Sequence, residues 1–129
     1  MAIKYKVIKQ GATPLTQTNK SYYTARACKR SLVGLDEIAE LLSLRSTLSK
    51  ADVFATLIAL TEAIPEYLLN NQSVQLGDLG TVSLHLSSKS ESTPEDVTWR
   101  SIKELKVQFR AGKEIKKSLK GARFKKVTE

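Results

Sequence analysis

Few side chains in this sequence could carry covalent or metal chemistry. It holds one cysteine, Cys28, and one histidine, His85, so neither an internal disulfide nor a nitrogen–sulfur metal cluster can be assembled. Cys28 reads as a small strand residue beside Lys29 and Arg30, and His85 as an exposed strand residue with no catalytic partner. Glu62 and Glu66 lie one helical turn apart and form a polar stripe, not a catalytic carboxylate pair. Gly112-Lys113 lacks the preceding glycine and the following Ser or Thr of a phosphate-binding loop. No set of nucleophile, base and metal emerges. The expectation is a protein that is not an enzyme and takes no cofactor, metal or small-molecule substrate.

What the sequence offers instead is cations. It has 21 Lys and Arg against 13 Asp and Glu, a formal net charge of +8, and the distribution is uneven. Residues 1–31 carry seven basic side chains and no acidic one; residues 32–99 carry three against ten; residues 100–129 carry eleven against three. Basic ends around an acidic middle point to a surface that attracts a polyanion by a salt-dependent, sequence-independent route. Nucleic acid is the expected partner.

With 129 residues and 41% apolar side chains, the chain can bury a core of its own. No apolar run approaches the roughly 18 residues of a membrane span, and Met1 to Lys6 lacks the apolar stretch of a signal peptide. No membrane association and a cytoplasmic location are expected.

The elements that position the cations follow from hydrophobic period. Ile3, Tyr5 and Val7 alternate with Lys4 and Lys6, predicting a strand, and Tyr22 to Ala27 predicts a second; Gly11 to Lys20 between them reads as a loop. From Leu35 the period changes. Asp36 and Glu37 suit a helix N-terminus, with Ile38, Leu41 and Leu42 on one face. Ser49 to Asp52 supplies a capping signature before a long helix reaching Asn70-Asn71, in which Pro65 predicts a kink near Ile64. Val53, Leu57, Leu60 and Ile64 share one face of that helix, while Phe54, Ile58, Leu68 and Leu69 widen the apolar arc to about 200°. So wide an arc needs covering on two sides, and a second copy of the chain is the simplest second cover. Alternation returns at Val74 to Ser87 and at Leu105 to Phe109, around a polar stretch from Ser87 to Thr98. A short helix bearing Lys113, Lys116, Lys117 and Lys120 follows and ends at Gly121. Trp99, near the base of the polar stretch, is expected to pack.

Three segments carry a resemblance. Leu48-Ser49-Lys50 looks like an inter-helix turn, Leu76-Gly77-Asp78-Leu79-Gly80-Thr81-Val82 is similar to a Gly-Phe-Gly-Thr-Phe strand signature, and Phe109-Arg110-Ala111-Gly112-Lys113 is similar to a Phe-Arg/Lys-x-Gly-Lys signature. In this order and at this spacing, residues 34–121 resemble the bacterial histone-like HU and integration host factor family. The resemblance implies an α+β fold with two N-terminal helices, a three-stranded antiparallel sheet with a protruding β-arm, and a short C-terminal helix, in an intertwined homodimer. Residues 1–33 form a β-rich N-terminal extension and 34–129 the HU-like domain.

The implied function is sequence-tolerant binding of double-stranded DNA by a nucleoid-associated architectural protein, through phosphates and the minor groove, with bending possible. On that reading Lys89, Pro94, Arg100, Lys103, Lys106, Arg110, Lys113 and Lys117 are the candidate DNA-binding residues. Lys50 is a further phosphate candidate. The arm departs from the family pattern. Its Ser92-Thr93-Pro94 is flanked by Glu91, Glu95 and Asp96, so saddle-type phosphate contact is expected rather than a proline wedge. The alternative function is a dimeric protein-interaction or structural module of the same fold with weak or no DNA binding.

Overall fold

The structure is a computed structural model, and it describes residues 1–11 and 21–128. Apart from Gly11, the expected loop from Gly11 to Lys20 lies outside the described residues. Among the described residues the fold is α+β, with three α-helices and two three-stranded sheets. The chain forms two compact units, Val33–Ser118 and a second that joins Met1–Leu32 to Leu119–Glu129.

The larger unit begins with α1 (Leu35–Leu44) and α2 (Lys50–Leu69). Ser49 caps α2: its Oγ accepts from the Asp52 N–H at 3.1 Å and donates to Asp52 Oδ2 at 2.7 Å. The first four N–H groups of a helix have no intrahelical partner, which gives such a cap its value. Ser49→Ala is expected to lower stability by about 1 kcal/mol in urea unfolding, and an unchanged midpoint would show that the cap adds nothing. Lys50 then ties the helices together, its Nζ lying 3.2 Å from Asp36 Oδ1 and 3.9 Å from Glu40 Oε2. Helix α2 continues unbroken through Pro65. It ends in a Schellman turn: Asn71 adopts φ +60°, its N–H donates to Leu68 O at 3.1 Å, and the Gln72 N–H donates to Tyr67 O at 3.1 Å.

Strands β3 (Val74–Gln75), β4 (Gly80–Ser88) and β5 (Ile102–Ala111) form an antiparallel sheet in that order. Period-2 alternation gives the sheet two different faces. Val82 lies opposite Phe109, Leu84 opposite Val107 and Leu86 opposite Leu105; Thr81 lies opposite Arg110, Ser83 opposite Gln108 and His85 opposite Lys106. A bulge between Ser87 and Ser88 leaves Lys103 without a partner in the register.

Two glycines hold this sheet to its turn. Gly80 adopts φ +146°, and a Cβ there would overlap the Arg110 carbonyl oxygen and the Phe109 ring. A Cβ on Gly112 would overlap the Asp78 carbonyl, because the Gly112 N–H donates to Leu79 O at 3.0 Å and draws the end of β5 against the short 3-10 turn Gly77–Leu79. Helix α3 (Lys113–Leu119) follows directly; it stops two residues short of the expected Gly121.

The segment between β4 and β5 is ordered by hydrogen bonds of its own. It closes on itself through two 3-10 turns, Pro94–Asp96 and Trp99–Ser101. Ser101 is 2% exposed; its Oγ donates to Glu91 Oε1 at 3.0 Å and accepts from the Thr98 N–H at 3.2 Å. The Ser101 carbonyl accepts from the Lys89 N–H at 2.9 Å and from Ser88 Oγ at 3.1 Å. The polar composition from Ser87 to Thr98 suggests a flexible stretch, but those polar groups satisfy one another.

The smaller unit is a sheet of order β2-β1-β6, with β1 spanning Ile3–Gln10, β2 Tyr22–Ala27 and β6 Phe124–Lys126. Strands β1 and β2 are antiparallel, from Tyr5 opposite Ala27 to Gln10 opposite Tyr22. Strand β6 runs parallel to β1, with Ile3 opposite Phe124 and Lys4 opposite Lys125. The residues from Leu119 onward therefore join the N-terminal strands in one compact unit. Backbone bonds from the Ile3 N–H to Arg123 O at 2.8 Å and from the Val127 N–H to Tyr5 O at 2.9 Å bind the C-terminal segment to the N-terminal strands.

Candidate nucleic-acid interface

Strand β5 sorts the cations by position. Lys106 and Arg110 lie on the polar face of the larger sheet, together with Thr81, Ser83, His85 and Gln108. Arg110, Gln108, His85, Ser83, Thr81 and Ser73 line a shallow depression of about 230 Å³. This surface combines guanidinium, ammonium, amide, imidazole and hydroxyl groups, all able to meet phosphate oxygens or base edges. Lys106 has Glu104 Oε2 at 3.7 Å, an exposed pair too weak to hold it from another anion. His85 is exposed, as its alternation predicts.

Lys113 and Lys117 are exposed on α3, one turn apart and hence on the same face. They begin three residues after Arg110, so the end of β5 and the helix form one cationic stretch. The remaining candidates lie at the other end of the β4–β5 hairpin. Since β5 is ten residues long, its two ends lie about 30 Å apart, with Lys103 and Lys106 about 10 Å apart along the strand.

That far end is less cationic than the sequence suggests. Lys89 Nζ lies 3.4 Å from Glu91 Oε1, the same oxygen that accepts from Ser101. Pro94 opens its 3-10 turn with the acidic residues Glu95 and Asp96 immediately behind it. Trp99 is 75% exposed and is not packed as expected; the Arg100 guanidinium lies over its ring, 5.4 Å from the centroid. An exposed indole with a cation above it suits stacking on a base as well as contact with a phosphate. Lys103 occupies the bulge. Lys50 lies beside Asp36 and Glu40 between the helices.

The opposite face of the sheet is apolar: Val82 is buried and Leu84 half-buried, and the rest is largely exposed. Leu86 is 64% exposed, Val107 67% and Phe109 52%. Among the described residues, the buried apolar side chains are Ala39, Val53, Leu68 and Val82. No helix among the described residues is long and apolar enough to cross a membrane, and none of their His, Cys, Asp and Glu side chains group in threes as a metal site would need.

Two helices, a three-stranded sheet and a short basic helix, in this order and with this register, define an HU-like α+β unit. The chain belongs to the family described as an HU domain fused to wHTH, Ig, or Glycine-rich motif, which matches residues 1–126. The match takes in the small β2-β1-β6 sheet as well as the larger unit. No curated protein matches the sequence. A solved structure from Bacteroides vulgatus ATCC 8482, called a "Putative bacterial DNA binding protein", shares the fold: TM-score 0.67 at 12% identity over 98% of this chain. This chain spans 49% of the length of that one.

Proposed function

We propose that this protein is a sequence-tolerant architectural protein that grips the phosphate backbone of duplex DNA and works as a homodimer. The observation that carries this reading is the division of the larger sheet into two faces. Lys106 and Arg110 stand among hydroxyl, amide and imidazole groups, with Glu104 beside Lys106, on one face, and a largely exposed apolar surface forms the other. Cations on the polar face meet phosphates, and the apolar face meets a second copy of the chain. Family membership and the name of the Bacteroides vulgatus protein support the same reading.

Lys113 and Lys117 extend the grip along α3, with Lys103 and Arg100 contacting phosphate toward the other end of the hairpin. Lys89 contributes less because Glu91 already holds it. Pro94 does not act as a wedge: a ring followed by two carboxylates would enter the groove against the field of the phosphates.

Duplex affinity measured against salt concentration tests the proposal, on protein whose solution mass is that of two 14.3 kDa chains. The expected result is a linear fall of log K with log salt, at a slope of about −0.9 per phosphate neutralised. A folded dimer that shifts no duplex even near about 50 mM salt would refute DNA binding and favour the protein-interaction module. A folded monomer would refute the second half of the proposal.

A further inference from the structure

The strand register collects a second set of cations in the smaller unit. In the β2-β1-β6 sheet, Lys6 lies opposite Arg26, and Lys4 lies opposite Lys125. Directly opposed residues share a face, as do residues two apart along a strand. Lys4, Lys6, Arg26 and Lys125 therefore stand on one face, and Lys4, Arg26 and Lys125 are exposed. Tyr22 shares that face at the far end of β2 and is also exposed. The other face holds Ile3, Tyr5, Val7, Ala25, Ala27 and Phe124, with Lys9, Tyr23 and Lys126 toward its ends. Side chains of both faces are exposed, Ile3, Val7 and Phe124 among them, and the face bearing Lys4, Arg26 and Lys125 is cationic on all three strands.

Charge bookkeeping by unit sharpens the point. The smaller unit holds eleven Lys and Arg against one acidic residue, Glu129, a net of +10, whereas Val33–Ser118 holds ten against twelve, a net of −2. The whole excess of positive charge thus resides in the small sheet and its flanks. Like charges set opposite one another destabilise a sheet, so Lys4 facing Lys125 gains most from an external anion.

We propose that this face is a second docking surface for the phosphate backbone of duplex DNA, with Lys4, Arg26 and Lys125 contacting phosphates and the Tyr22 hydroxyl available to a phosphate oxygen. It rests on the DNA-binding reading above and adds a site to it. Two phosphate-binding surfaces on one chain multiply their affinities by effective concentration. The larger unit, net acidic, then supplies local contacts, and the small sheet supplies most of the long-range attraction.

The test compares full-length protein with the triple variant Lys4→Gln, Arg26→Gln, Lys125→Gln. A charge-matched control, Lys9→Gln, Lys29→Gln, Lys120→Gln, removes three cations that are not on this face, and Lys106→Gln with Arg110→Gln reports on the larger sheet. The salt slope of the face variant is expected to become shallower by about 2.7 for each chain in contact, with affinity at ~100 mM salt reduced at least tenfold more than in the control. Circular dichroism verifies that each variant is folded, and Lys4→Arg with Lys125→Arg should retain binding. A face variant that matches the control overturns the proposal while a loss in the Lys106 and Arg110 variant leaves the first site standing. Absence of duplex binding by the parent protein overturns both, as does a parent that binds anionic vesicles in place of DNA.

Discussion

Changing Lys106 and Arg110 together to glutamate is expected to weaken duplex binding by about 60-fold at ~100 mM salt for each chain in contact, since two lost phosphate contacts remove about 1.8 from the salt slope. In a homodimer both copies change, and the expected loss rises to about 4000-fold. Neither residue is structural. Both are exposed on the polar face, and the ion pair of Lys106 with Glu104 at 3.7 Å lies in solvent, where such pairs contribute about 0–1 kcal/mol. Far-ultraviolet circular dichroism and the thermal midpoint should therefore stay close to those of the parent. A loss of less than about threefold, in a folded variant, would remove the polar face from the interface and leave α3 or the small sheet to carry the binding.

The second large effect is on folding. Gly80→Ala and Gly112→Ala are each expected to cost about 3 kcal/mol or more. At Gly80 the new Cβ meets a backbone conformation with φ +146° as well as the Arg110 carbonyl and the Phe109 ring, and strained backbone alone costs about 1–3 kcal/mol. At Gly112 the obstacle is the Asp78 carbonyl, which cannot withdraw without breaking the bond from the Gly112 N–H to Leu79 O. For a domain whose whole stability is about 5–15 kcal/mol, either change should lower the urea midpoint by roughly 1–3 M. A shift below about 0.3 M would mean that the turn at Gly77–Leu79 can move away from β5. Both glycines sit in the segments that resemble the HU signatures, and the packing supplies a physical reason for glycine at each.

The larger unit was the more legible part of the molecule because its elements are long. α2 repeats its apolar pattern over 20 residues and opens on Ser49-Lys50-Ala51-Asp52, and β4 and β5 alternate over nine and ten. Lys106 and Arg110 could be placed on one face from that alternation alone. Legibility failed where the deciding interaction was non-local. Strand β6 has three residues, Phe124-Lys125-Lys126, too few for a period to register, and it exists because β1 offers an open edge. Without β6, nothing placed Lys125 beside Lys4, so the cationic face of the small sheet could not be read. The stretch from Ser87 to Thr98 has the polar composition of a flexible loop, yet Ser101 and Glu91 close it from ten residues apart. Trp99 was expected to pack because of its size, and the structure leaves it outside with Arg100.

The parallel pairing of β6 with β1 also sets an order of events during synthesis. The larger unit, Val33–Ser118, is inserted between the two halves of the smaller one, so strands β1 and β2 leave the ribosome first and wait roughly 100 residues for Phe124. At translation rates of about 5–20 residues per second, that wait is about 5–20 s. During it, Ile3, Tyr5 and Val7 form a two-stranded hairpin with one edge unpaired, an arrangement of marginal stability that invites pairing with a neighbouring chain. Lysines at positions 4, 6 and 9 on that open edge strand keep nascent copies apart until the last strand arrives.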